Sequence, residues 1–251
     1  MLTRLYLIRH GETEGGQLNR YKGHIDVPLS ENGIKQMEQL SEYIRQNTEH
    51  RTQNIDNPPI PPLNKGGQRG VTSVYCSDLS RALKSAEIIA KPHKLRPIVM
   101  PELRERNFGI WEGMTFNEIK EKYPQEFDAW VSNPLKFSPV QGESTIEVRD
   151  RVLTALDKIL NSFRIQGVKE SSEKIKNALE PSNPQTLEPF SVENVAIVSH
   201  GGVNRVILCH FLEIPFENIF GIEQDFGALN IVEFHDNYPV VKLINFTCHP
   251  E

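Results

Sequence analysis

The sequence is poor in the features that mark several common kinds of protein. It has three cysteines in 251 residues, Cys76, Cys209 and Cys248, with no Cys-x-x-Cys pair and no His/Cys spacing suited to a metal ion. This argues against a disulfide scaffold or a zinc module; no metal or cofactor is expected, and the thiols are expected in a reducing, cytoplasmic compartment. No apolar run reaches the roughly 18 residues of a membrane span, and a strand pattern begins by residue 4 without a basic leader, so a soluble protein is expected. A strong charge of one sign is missing as well: 28 Lys and Arg stand against 33 Asp and Glu, a formal net charge of -5. That balance gives no field for nucleic acid or an anionic membrane, so any bound anion must be met by a few placed cations.

What is present is an alternation of two periodicities. Strand-like runs recur at Leu5–Ile8, Val71–Cys76, Pro97–Met100, Val195–Ser199, Asn230–His235 and Val240–Phe246, several separated by helical patterns. This alternation predicts an α/β layered fold. Ile34, Met37, Leu40 and Ile44 fall on one helical face after Ser30, and Leu79, Ala82, Leu83, Ala86 and Ile89 on another. Thr115-x-x-Glu118 and Ser144-x-x-Glu147 have capping-box spacing, the second opening a long helix that carries Val148, Val152, Leu156, Ile159 and Phe163. Between them Trp111, Phe116, Tyr123, Phe127, Trp130 and Phe137 predict the core of a small helical excursion, with one or two at a pocket mouth. With 38% hydrophobic residues, one domain over 1–251 is expected, carrying flexible insertions at 51–70 and 166–193, which are rich in Pro, Gly and polar residues.

Two histidines stand at the ends of predicted strands. Leu5-Tyr6-Leu7-Ile8 runs into Arg9-His10-Gly11, and Val195-Ala196-Ile197-Val198 runs into Ser199-His200-Gly201-Gly202. In an open α/β sheet ligands bind at the carboxyl edge of the strands, so both imidazoles are expected at one pocket. An imidazole that accepts a phosphoryl group needs a neutral ring and cations around the phosphoryl oxygens. Arg9 offers one fork of donors; Arg81, in the first turn of the helix after strand 71–76, offers a second. Glu105, on the loop after strand 97–100, is the expected proton donor to the leaving oxygen, with Glu12, Glu102 and Glu112 as alternatives. Arg104 and Arg106 read as surface or helix-pairing charges. His24, His50, His93, His210, His235 and His249 read as solvated or core-satisfied, and Gly201-Gly202 as either a phosphate contact or a packing device.

Arg9-His10-Gly11-Glu12-Thr13, Ser77-Asp78-Leu79-Ser80-Arg81-Ala82, Leu103-Arg104-Glu105-Arg106-Asn107-Phe108-Gly109 and Ser199-His200-Gly201-Gly202 closely resemble the histidine phosphatase superfamily, the phosphoglycerate mutase-like group. The resemblance covers roughly residues 1–49, 71–165 and 194–246. It implies a three-layer α/β sandwich with a mostly parallel central sheet flanked by helices. It also implies His10 as the phosphorylated nucleophile, Glu105 as proton donor, and Arg9, Arg81 and His200 as the phosphate pocket. The stretch Tyr21–Ser30 resembles the family's substrate-side loop, which makes Lys22 and Gly23 expected contacts. Where the family often has Asn six residues after the nucleophile, this chain has Gly16, so backbone N–H groups or Asn19 are expected to substitute.

The function so implied is metal-independent hydrolysis of a small phosphate ester through phosphohistidine. Phe108–Thr115 and Gln141–Ser144 resemble the small-molecule phosphatases, α-ribazole phosphatase of cobalamin synthesis among them, more than the glycolytic mutases. Two alternatives remain open at this point. One is a phosphoglycerate mutase, which transfers the same phosphoryl group to a second hydroxyl; the other is a phospho-ligand binding module without turnover.

Overall fold

The structure is a computed structural model that describes residues 2–18, 20–49, 70–178, 193–235 and 238–248. Its centre is one sheet of six strands: β1 (Leu2–Arg9), β2 (Ser73–Cys76), β3 (Ile98–Val99), β4 (Glu193–Ser199), β5 (Leu229–His235) and β6 (Tyr238–Phe246). The order is β3-β2-β4-β1-β5-β6. Strands β3, β2, β4 and β1 lie parallel to one another, while β5 runs antiparallel to both β1 and β6.

Alternation along β1 explains why both faces of the sheet are covered. Leu5 and Leu7 join Val195, Ile197 and Val232 in one apolar cluster, and Tyr6 and Ile8 join Ala196, Val198 and Ile231 in the other. The first cluster is roofed by α5 (Thr145–Ala178) and α6 (Gly201–Leu212), through Val152, Leu156, Ile159, Val203 and Ile207. The second is roofed by α1 (Glu31–Glu49) and α2 (Ser80–Ala90), through Met37, Leu40, Ile44, Ala86 and Ile89. The architecture is therefore a three-layer α/β sandwich, and every strand expected from the sequence is present in it.

Local chemistry starts these helices where the sequence places them. The Ser30 hydroxyl accepts from Gly33 N at 3.0 Å and caps α1. Both capping boxes form: Thr115 with Glu118 opens α3 (Phe116–Lys122), and Ser144 with Glu147 opens α5. Helix α3 and the adjoining α4 (Pro124–Ser132) gather Trp111, Ile119 and Phe127 into a satellite core packed by Tyr123, Trp130 and Phe137. Helix α5 continues through 166–178 because Pro181 is the first proline after Pro139; residues 179–192 and 51–69 lie outside the described residues.

The connections decide where a ligand can bind. The chain leaves β1 toward α1 on one face of the sheet and leaves the adjacent β4 toward α6 on the other. Neighbouring parallel strands whose exits diverge in this way open a crevice at their carboxyl ends. Arg9 pairs with Ser199 in the β1–β4 register, so His10 and His200 both follow the last rung at that crevice. Among the described residues no helix is long and apolar enough to cross a membrane.

Candidate active site

His10 is fixed by its own backbone and its neighbour's. Its N–H donates to the Ser199 carbonyl at 3.0 Å, and its ring Nδ1 lies 2.7 Å from the Gly11 carbonyl. A carbonyl only accepts, so Nδ1 carries the proton and Nε2 the free lone pair. Burial, then the charges of Arg9 and Arg81, push the His10 pKa well below the ordinary 6.5, which keeps the ring neutral and nucleophilic. Gly11 is required for this placement, since a Cβ there would lie 2.3 Å from the Gly33 carbonyl oxygen at the start of α1.

The His200 ring meets His10 edge to face, with centroids 5.1 Å apart, and is fully buried. Burial first, then His10 and the nearby guanidiniums, push its pKa well below 6.5. Neither of its ring nitrogens has a hydrogen-bond partner among the described residues.

Two guanidiniums face the same space. Arg9 donates from Nη1 to the Gln224 carbonyl and lies over the Phe226 ring at 4.0 Å. Burial lowers its pKa to about 10, which leaves it charged at neutral pH. Arg81 sits one residue into α2 with only 2% exposure, and its guanidinium donates to the carbonyls of Ile25 (2.9 Å) and Gly23 (2.7 Å). Gly23, at φ +50, thus supplies a ligand for Arg81 as well as a piece of cavity wall. Lys22 lines the cavity too, donating from Nζ to the Thr13 hydroxyl and, at 2.6 Å, to the Glu14 carbonyl.

The Glu105 carboxylate is held from two sides, Oε1 accepting from Arg106 N at 2.9 Å and Oε2 from Gly202 N at 3.1 Å. None of the alternative acids lines the cavity. Glu12 accepts from Asn32, Glu102 pairs with Lys158, and Glu112 accepts from the backbone N–H groups of His24, Ile25 and Phe108.

The cavity has a volume of about 560 Å³, and Arg9, His10, Lys22, Gly23, Arg81 and Glu105 share its wall. Gly201 lies just outside that wall, packed against Arg9 and Arg205, where a Cβ would sit 3.4 Å from each guanidinium. Gly16 lines the cavity, and Asn19 lies outside the described residues.

Several wall residues escaped the sequence reading. Arg106 is a correction: it is buried, donating to the carbonyls of Glu143 and Phe137 and to the Thr145 hydroxyl, and its side chain belongs to the cavity rather than the surface. Arg104 instead pairs with Asp78. The alternation of a loop segment gave no signal separating these two arginines. Arg205 was missed although a signal was there, because it lies one helical turn beyond Gly201-Gly202 and so shares their face. Phe226 and Gln224, which hold Arg9, come from a loop with no motif of its own.

Comparison with known proteins gives the chain a family. The model of the "Histidine phosphatase superfamily (branch 1)" matches residues 5–52 and 65–247. Phosphoserine phosphatase 1 of Hydrogenobacter thermophilus is 26% identical over 99% of this chain and 94% of its own. Adenosylcobalamin/alpha-ribazole phosphatase of Salmonella typhimurium is 24% identical over 96% of each. Among solved structures, a putative alpha-ribazole-5'-P phosphatase from Escherichia coli aligns with a TM-score of 0.70 at 22% identity, covering 98% of this chain and 97% of that one. From the extent of the family match, the chain belongs to the histidine phosphatase superfamily, branch 1, and is a phosphatase of that type.

Proposed function

We propose that this phosphatase hydrolyses a small phosphate monoester through a phosphohistidine intermediate on His10, without a metal ion. The observation that carries the proposal is the His10 ring. It is neutral, its tautomer is set by the Gly11 carbonyl, and Nε2 is left free beside Arg9, Arg81 and Glu105. In the first step Nε2 attacks phosphorus as the bond to the leaving oxygen breaks, and Glu105 gives that oxygen its proton. Glu105 then takes a proton from water, whose oxygen attacks phosphorus and breaks the bond to Nε2; phosphate leaves and His10 is restored. Arg9 and Arg81 supply the positive charge that gathers the phosphoryl oxygens. One unpartnered ring nitrogen of His200 is assigned to a phosphoryl oxygen once that group sits on His10.

The cavity exceeds what a phosphoryl group fills, and Tyr21, Phe108, Trp111 and Trp130 wall part of it. Such a wall suits a flat-bodied phosphorylated metabolite, and α-ribazole 5'-phosphate, with an aromatic base, is the specific substrate proposed. The whole chain is read as one catalytic domain with its two insertions, working in the cytoplasm, where its three free cysteines stay reduced.

The test is release of phosphate from a panel containing α-ribazole 5'-phosphate, phosphoserine, phosphoglycerates and sugar phosphates, in excess EDTA. Turnover is expected in EDTA and is lost in His10→Ala, with acid-labile, alkali-stable phosphate trapped on the wild-type protein. No release, or undiminished release by His10→Ala, overturns the proposal. Conversion of 3-phosphoglycerate to 2-phosphoglycerate with little free phosphate points to the mutase instead.

A further inference from the structure

Behind Arg9 lies a cluster of side-chain amides that the chemistry above does not use. Gln224 is 2% exposed, and Asn204 on α6 and Asn230 on β5 are fully buried. The Gln224 amide uses its whole hydrogen-bonding capacity within this cluster. Its Nε2 donates to the Glu223 carbonyl (2.7 Å) and to Asn230 Oδ1 (2.8 Å), and its Oε1 accepts from Asn230 Nδ2 (2.8 Å) and Asn204 Nδ2 (3.2 Å). The partners are anchored in turn. Asn230 Nδ2 also donates to the Leu7 carbonyl of β1 at 3.1 Å, Asn245 N of β6 donates to Asn230 Oδ1 at 2.9 Å, and the Ser199 hydroxyl of β4 donates to Asn204 Oδ1 at 2.9 Å.

Three buried amides are a costly way to fill a core. Apolar side chains of similar shape need no partners, whereas amides are tolerated only when every group is satisfied. What a closed network provides is a single geometry. Here that geometry is imposed on the peptide whose carbonyl accepts from Arg9 Nη1, two residues before the ring that covers the same guanidinium. The following turn holds the backbone of the nucleophile as well: Arg9 N donates to the Ala228 carbonyl at 2.9 Å, and Gly227 N to the His10 carbonyl at 3.0 Å.

We propose that Gln224, locked by Asn204 and Asn230, is a positioning residue that fixes the Arg9 guanidinium for anion binding; this rests on the reading of Arg9 as a phosphoryl ligand. Gln224 touches no substrate in this scheme and acts through its own carbonyl. Without the amide lock the carbonyl is free to tilt, and Arg9 follows it away from the phosphoryl site.

A double-mutant cycle with Gln224→Met and Arg9→Lys tests it, read as orthovanadate and inorganic phosphate inhibition and as kcat/KM for p-nitrophenyl phosphate. In the wild-type background Gln224→Met is expected to weaken both inhibitors about 10-fold and to lower kcat/KM by up to roughly 100-fold, the scale for a misplaced charged group. In the Arg9→Lys background the same change is expected to cost less than about 3-fold, because the group it positions is gone. Asn204→Ala removes one of the four bonds and is expected to give a smaller loss in the same direction; it carries the test if Gln224→Met does not fold. Equal losses in both backgrounds, or unaltered inhibition in folded Gln224→Met, overturn the proposal. If Arg9→Lys alone leaves inhibition unchanged, the reading of Arg9 fails first, and the two failures are told apart.

Discussion

Gly202→Ala is expected to disable proton transfer while leaving the fold intact. Gly202 is the second residue of α6, in helical backbone, and its N–H donates to Glu105 Oε2. A Cβ added there would lie 2.3 Å from Glu105 Oε1, where real Cβ contacts essentially never fall below 3.0 Å. The clash meets the free end of a side chain rather than backbone, so the carboxylate moves away by at least ~0.7 Å, close to the displacement that costs roughly 100-fold in rate. Stability is pulled the other way, since Ala replaces Gly in a helix with a gain of up to about 1 kcal/mol. The melting temperature is therefore expected to stay within about 4 °C of wild type. The assay compares kcat/KM for an alkyl phosphate with that for p-nitrophenyl phosphate, because on the proposed route kcat/KM reports phosphoryl transfer to His10 alone. The alkyl leaving group needs a proton and its kcat/KM is expected to fall about 100-fold, within the range a general acid contributes. The nitrophenolate leaves without one and is expected to lose far less. Equal falls on both substrates, or no fall at all, refute Glu105 as the acid held by Gly202.

Two further predictions concern stability. His10 and His200 are buried with their pKa values held well below 6.5, so below pH 6.5 the unfolded chain binds protons that the folded chain does not. Stability is expected to fall as the pH drops from about 6.5 to 5.5, by up to ~1.4 kcal/mol per pH unit for each ring; urea midpoints measure it, and His10→Asn or His200→Asn should each remove one such contribution. A pH slope unaltered by both substitutions contradicts the assignment. Gly11→Ala, whose Cβ meets the Gly33 backbone at 2.3 Å, is expected to destabilise by about 1–3 kcal/mol, and an unchanged urea midpoint argues against that close approach.

Much of the site was legible because its residues sit at punctuation points of the chain. His10 and His200 end strands, Arg81 opens a helix, and Glu105 follows a strand in a short connection. Strand-end positions on parallel neighbours share one edge, so a linear pattern was enough to bring four distant segments to one pocket. Arg205 apart, the residues that were missed obey no local period. Phe226 and Gln224 lie in a turn before β5, and Arg106 differs from the surface-paired Arg104 only in which way the loop turns it.

The sequence by itself determined the layering and supplied the side chains from which the chemistry is proposed. Continuous apolar strand runs and period-3.6 helices select a sheet covered on both faces, and the side chains proposed as nucleophile, cations and acid are present whatever the fold. Only the tertiary structure decided which ring nitrogen of His10 is free, that His200 meets it edge to face with both ring nitrogens unpartnered among the described residues, and that the Gln224 carbonyl accepts from Arg9. The physical reason is range: propensity acts over a few neighbours, whereas a tautomer or a guanidinium's orientation is set by single hydrogen bonds from whichever segment the fold has packed alongside.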